Sequence, residues 1–115
     1  MEQDCIFCRI ISGESPATVV FQDDLVIAFL DIYPAAPIHL LIAPRDHIPS
    51  INNLDEGHAT LVGHMHLVAK QLAELNNISV TGYRLIINTG MDAKQSVPHL
   101  HLHLLGGQPM RYPMG

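Results

Sequence analysis

Apolar and polar residues change rhythm several times along this chain, and each rhythm predicts an element. The sharpest pattern is His99-Leu100-His101-Leu102-His103-Leu104, a strict alternation. Period 2 is the mark of a strand with two unlike faces, here leucine on one and imidazole on the other. Alternate residues on a strand lie about 6.7 Å apart, so the three rings would form a row about 13 Å long. Pro98 fits the first position of such a strand, and Gly106-Gly107 fits its stop. Ahead of it, residues 4 to 12 read as a short helix with Asp4 as cap and Ile6, Phe7, Ile10 and Ile11 on its apolar side. Ser12 to Pro16 is a turn. Strands follow from Val19 to Phe21 and over residues 25 to 30, paired as a hairpin across Asp23-Asp24. A proline-bounded loop from Asp31 leads to a third strand over residues 38 to 43.

From Asp55 to Leu75 the period becomes helical, with Leu61, Val62, Met65, Val68, Leu72 and Leu75 on one face and Asn76-Asn77 as the stop. Residues 82 to 88 form a fourth strand. Thr89 to Val97 is a polar loop feeding the histidine strand, and the tail from Gln108 has little periodicity. Hairpins dominate and βαβ alternation is absent. The class expected is α+β, a five-stranded, mainly antiparallel sheet with one long and one short helix. At 115 residues this is a single domain, residues 1 to 115, and 48% hydrophobic content gives it a core without staples.

A net charge of -5 and a pI near 5.8 argue against a cationic grip on nucleic acid, though not against one bound nucleotide. No apolar run reaches the roughly 18 residues of a membrane span, and no signal-peptide pattern opens the chain, so cytoplasm is the expected location. Two cysteines, in one Cys5-x-x-Cys8, are too few for a disulfide framework, and no strand precedes them as a thioredoxin-like pair would require.

The histidine row admits three readings. It could be the polar face of a half-exposed strand. It could hold zinc, two rings at i, i+2 sharing the ion. Or it could carry covalent phosphoryl chemistry, one ring attacking while its neighbours handle charge and protons. Of the other histidines, His58, His64 and His66 lie in the long helix without the i, i+4 spacing of a ligand pair and read as structural or solvated. His39, inside the third strand, reads on its own as a satisfied core residue.

His-x-His-x-His followed by apolar residues resembles the histidine triad superfamily, closest to its Hint-like branch of purine nucleoside phosphoramidases. The resemblance runs from about Asp4 to Gly115. It implies the α+β architecture above, and a homodimer in which two five-stranded sheets join. It implies that His101 is the nucleophile at the α-phosphorus of a purine nucleoside 5'-phosphoramidate, through a nucleotidyl-histidine intermediate. A ring on each side, His99 and His103, would feed protons and balance charge, with His103 on the phosphate. His39, within Ala-Pro-Ile-His-Leu-Leu-Ile-Ala-Pro-Arg-Asp-His, would orient the catalytic imidazole. Asn88, Gly90, Gln95 and Ser96 match an Asn-x-Gly…Gln-Ser pattern of donors to the phosphate and leaving group. Lys94 departs from the glycine usual in that loop, adding charge near the leaving group or only removing backbone freedom. Phe7, Ile10, Phe29 and Ile32 match an apolar slot for the purine, which by composition alone would read as core. Asp31 matches the acceptor for the ribose hydroxyls. Some members close the cysteine pair with two histidines, which here are His47 and His99, giving a structural zinc site of Cys5, Cys8, His47 and His99. The tail, Leu-Leu-Gly-Gly-x-x-Met-x-x-Pro-x-Gly, fits the same branch, with Tyr112 where tryptophan is common. The competing functions are a Fhit-like dinucleoside polyphosphate hydrolase, a purine nucleotide-binding scaffold with weak catalysis, and a zinc hydrolase built on the triad.

Overall fold

The computed structural model describes residues 4–115. It places the elements in the order α1 (Ile6–Ser12), β1 (Val19–Gln22), β2 (Val26–Leu30), β3 (Ile38–Pro44), α2 (Ala59–Leu75), β4 (Tyr83–Ile86) and β5 (Leu102–Gly106). The five strands form one sheet in the order β1-β2-β3-β5-β4, and every neighbouring pair is antiparallel. This is the expected α+β class.

One face of the sheet carries the core. Leu40 and Ile42 of β3 and Leu100, Leu102 and Leu104 meet Met65, Val68, Ala69 and Leu72 of α2, all buried. Full burial of each large side chain contributes about 1.5–3 kcal/mol. The opposite face carries Ile27 and Phe29 of β2 and Leu41 of β3, covered by Phe7 of α1. The leucine–histidine alternation therefore sorts as expected, leucines toward α2 and histidines toward α1.

The histidine segment departs from expectation in where its strand begins. The ladder starts at Leu102, opposite Ile42, and not at His99. Beyond Ile42 the chain has reached Pro44, whose carbonyl is taken by the His99 ring. The Leu100 N–H turns instead to the carbonyl of Ile48, 2.7 Å away. Pro98 is thus a loop residue rather than the first of the strand. Gly106 does end it: a Cβ there would stand 2.6 Å from Ile78 Cδ1.

The helix caps also differ. Asp4 does not cap α1; Cys5 does, its thiol accepting the Cys8 N–H at 3.4 Å. Gly13 closes α1 in the left-handed conformation, φ 85°, as a glycine can without a Cβ clash. The long helix begins with a tight turn at Glu56–His58, where Asp55 and His58 form a reciprocal capping box. That is the job of His58. His64 bonds Asp23 at 2.6 Å and His66 the Val62 carbonyl at 2.8 Å, so all three are structural or surface residues. Among the described residues no helix is long and apolar enough to cross a membrane.

Candidate active site and metal clip

Because β2, β3 and β5 present alternate residues to the α1 face, a cavity of about 320 Å³ forms between that sheet face and α1. Its walls include Phe7, Ile10, Phe29, Ile32, Asp31, Ser96, His101 and His103. Phe7 stands edge-on to Phe29 and to the His101 ring, at centroid distances of 5.2 and 5.0 Å. Asp31 is the one carboxylate among the described lining residues, and no Lys or Arg joins it. The described lining therefore offers an anion no cationic side chain.

The hydrogen bonds fix which ring nitrogen carries each proton. His101 Nδ1 lies 2.6 Å from the His99 carbonyl. A carbonyl only accepts, so Nδ1–H is the donor and Nε2 keeps its lone pair. Burial pushes this imidazole below its usual pKa, against the pull of that carbonyl and of Asp31, so the ring is neutral near pH 7. His103 is wired differently. The Ala35 N–H donates to His39 Nδ1 at 3.0 Å, which leaves the proton of neutral His39 on Nε2. That Nε2–H faces His103 Nδ1 at 2.9 Å, so His103 carries its own proton on Nε2. Burial, with the neighbouring His101 and His39, pushes His103 down to about 4. His39 is lowered too, by burial against the attraction of Asp31.

Two expected roles change here. His39 orients His103 and not His101; the orienting group for His101 is the carbonyl of His99. Nor does His99 offer its ring to the middle histidine. That ring is fully buried and turned away, its Nε2–H donating to the Pro44 carbonyl at 2.8 Å.

His99 Nδ1 is left with a lone pair, 3.4 Å from Cys5 Sγ and 3.6 Å from Cys8 Sγ. Cys8 Sγ lies 3.2 Å from His47 Nδ1. The four ligand atoms all fall within 4.8 Å of one another. In a tetrahedral site the sulfur–nitrogen edge is about 3.5 Å, from bond lengths of about 2.3 and 2.05 Å. Two thiols and two unhindered imidazole nitrogens at such spacings fit a metal ion, with no position left for water. Asp31, His39 and His103 also converge within 4.8 Å. That cluster is bound by protons instead, since both nitrogens of His39 are already engaged.

The loop before β5 brings only some of its expected donors to the cavity. Ser96 lines it. Asn88, Gly90 and Gln95 do not. The Gln95 amide donates to the carbonyls of Pro49 (2.7 Å) and Val97 (3.0 Å) and accepts the Gly90 N–H at 3.0 Å. In this structure it is a strut for the loop, spent on backbone groups. Lys94 adopts φ 61°, the left-handed region a glycine would occupy, with its side chain exposed outside the cavity. Val97 and Tyr33 line the cavity too, and periodicity could not have found them because both sit in loops.

Residues 4–112 match the family model described as scavenger mRNA decapping enzyme C-term binding. The chain is 47% identical over 110 residues to the purine nucleoside phosphoramidase of Escherichia coli K12, covering 96% of this chain and 92% of that protein. Its structure resembles that of a HIT family hydrolase from Legionella pneumophila Philadelphia 1, at 48% identity and TM-score 0.93, over 96% of this chain and 99% of that one. It also resembles a Zn-bound histidine triad family protein from Mycobacterium smegmatis, at 30% identity and TM-score 0.83, over 94% and 78% of the two chains. A fold with three alternating histidines, two of them lining an apolar cavity, defines the class, and the chain belongs to the histidine triad family.

Proposed function

We propose that this protein is a hydrolase of purine nucleoside 5'-phosphoramidates, acting through a nucleotidyl-histidine intermediate. The observation that carries the reading is the tautomer of His101: its Nδ1–H is held by the His99 carbonyl, leaving a neutral Nε2 lone pair on a ring that lines the cavity. The likeness to the Escherichia coli phosphoramidase supports the substrate class.

In the first step His101 Nε2 attacks the α-phosphorus, an Nε2–P bond forms and the P–N bond breaks. The departing nitrogen takes a proton from solvent and leaves as an amine. Water then attacks phosphorus, the Nε2–P bond breaks, a proton returns to solvent, and the nucleoside monophosphate is released. His103 donates its Nε2–H to a phosphate oxygen as charge shifts. It is not the acid that protonates the amine: with Nδ1 accepting from His39, loss of the Nε2 proton would leave an imidazolate. Ser96 adds a hydroxyl to the cavity wall. Phe7, Ile10, Phe29 and Ile32 hold the purine and Asp31 takes the ribose hydroxyls. Gly90 and Gln95 serve the phosphate only through the loop they shape together.

Cys5, Cys8, His47 and His99 hold a structural zinc ion in this reading, supported by the donor spacings and the Zn-bound relative. The ion would pin α1, and with it Phe7, against the strand of the nucleophile. In this reading, which rests on the family resemblance, the protein works as a homodimer in the cytoplasm.

Replacing His101 with Ala and following AMP release from adenosine 5'-phosphoramidate tests the assignment. Turnover is expected to fall by about four orders of magnitude while thermal unfolding stays near wild type. Wild-type turnover in a folded variant would refute it.

A further inference from the structure

We propose that Asp31 couples recognition of the ribose to chemistry at phosphorus: the carboxylate that takes the ribose hydroxyls also competes for the proton that sets His103. This rests on the function proposed above and adds to it that the ribose hydroxyls raise turnover, not affinity alone.

The geometry begins with register. Asp31 follows the last residue of β2, and its N–H donates to the His39 carbonyl at 3.0 Å, which locks the two residues side by side. Asp31 Oδ1 accepts the Tyr33 N–H at 2.8 Å, a turn that fixes the carboxylate. Its other oxygen, Oδ2, lies 3.4 Å from His39 Nε2. His39 Nε2 carries one proton, which is hydrogen-bonded to His103 Nδ1 at 2.9 Å; the carboxylate stands at ion-pair distance, 3.4 Å, as the rival acceptor without a hydrogen bond of its own. The imidazole is nearer, but the half-buried carboxylate attracts the His39 ring electrostatically, against the effect of that ring's own burial.

The outcome of that competition matters at the phosphate. With the proton on the His39–His103 line, His103 Nδ1 is occupied and its Nε2–H is presented as a donor. With the proton drawn to Asp31, nothing holds His103 in that tautomer. Asp31 is the one charged lining residue of the cavity among those described, so hydroxyls donated by a bound ribose meet it first. Two such donors satisfy the carboxylate and release the His39 proton to His103. A nucleotide without them leaves the competition open at the moment of attack.

The test compares adenosine 5'-phosphoramidate with its 2',3'-dideoxy analogue, reading kcat and KM separately in wild type and in Asp31→Asn. In wild type the analogue is expected to lose about tenfold in kcat as well as binding more weakly. In Asp31→Asn the kcat ratio of the two substrates is expected to approach one, whereas a merely structural role would slow both equally and leave the ratio unchanged. A wild-type loss confined to KM, or a ratio that persists in the variant, overturns the proposal. If neither substrate is hydrolysed, the proposed function fails on its own, and the coupling is read in wild type from imidazole 15N shifts. AMP should give His103 the Nε2–H pattern and 2',3'-dideoxy-AMP a mixed one; identical patterns overturn it.

Discussion

His99 and His103 are the same residue type, each two positions from His101, and they do opposite work. His99 turns its ring out of the row, donates to the Pro44 carbonyl and aims a lone pair at two thiols. His103 keeps its ring at the cavity and accepts a hydrogen bond from His39. The difference lies in which group meets the first nitrogen. A carbonyl leaves the second nitrogen basic, fit for a metal or, in His101, for phosphorus. A donor leaves the second nitrogen protonated, fit to receive an anion. Alternation placed the three rings on one side of the chain; their neighbours divided the labour.

The sharpest way to break this comparison is to remove each ring. His103→Ala is expected to lower kcat by about 10²–10³, the usual range for one lost donor to a charged transition state, with little change in stability. His99→Ala is expected to do the reverse in its primary effect, losing about 3 kcal/mol of stability for a fully buried ring with a hydrogen bond, and losing bound metal. Steady-state kinetics, urea unfolding and metal content of both variants check it. Equal losses of stability in the two would sink the division of roles.

A smaller effect comes with acid. His39, His99, His101 and His103 all have pKa values lowered chiefly by burial, His103 to about 4. The unfolded chain takes up protons near pH 6.5, the usual histidine value, and the folded chain does not. Folding stability is therefore complete above pH 6.5 and declines as pH falls below it, the His103 share running down to about pH 4. The urea midpoint should drop more from pH 6.5 to 5.5 than from 7.5 to 6.5, and His103→Ala should remove part of that drop. A midpoint constant from 7.5 to 5.5 would contradict it.

Alternation and helical period revealed the leucine side of β5 and most of α2, whose residues face one core, although Leu75 at the end of that helix is exposed; β3, an apolar run, is buried on both faces. What sequence left hidden depends on contacts made across the chain. Nothing in His99 to His103 says that Pro44 ends the ladder early, or that Ala35 in a loop sets the His39 tautomer. Gln95 resembled a phosphate donor because its amide is the right chemistry; only the positions of Pro49 and Gly90 show it engaged elsewhere. Phe7 and Phe29 read as core by composition and are half of each, packed under the sheet face and lining the cavity.

The smallest effect concerns Lys94, where charge and backbone freedom remained rival readings. Its φ of 61° costs a residue with a Cβ about 1 kcal/mol. Glycine would remove that strain, at an entropy cost of about 0.5–1 kcal/mol in the unfolded chain. The two nearly cancel, so Lys94→Gly should change stability by less than about 1 kcal/mol. The turn itself survives, because it is built from backbone: Lys94 N–H to the Met91 carbonyl and Gln95 N–H to the Gly90 carbonyl, at 3.0 and 3.1 Å. With the lysine chain outside the cavity, kcat/KM on adenosine 5'-phosphoramidate should stay within about twofold of wild type. A tenfold loss in a variant of unchanged stability would show that the ammonium reaches the leaving group after all, and would restore the electrostatic reading of this loop.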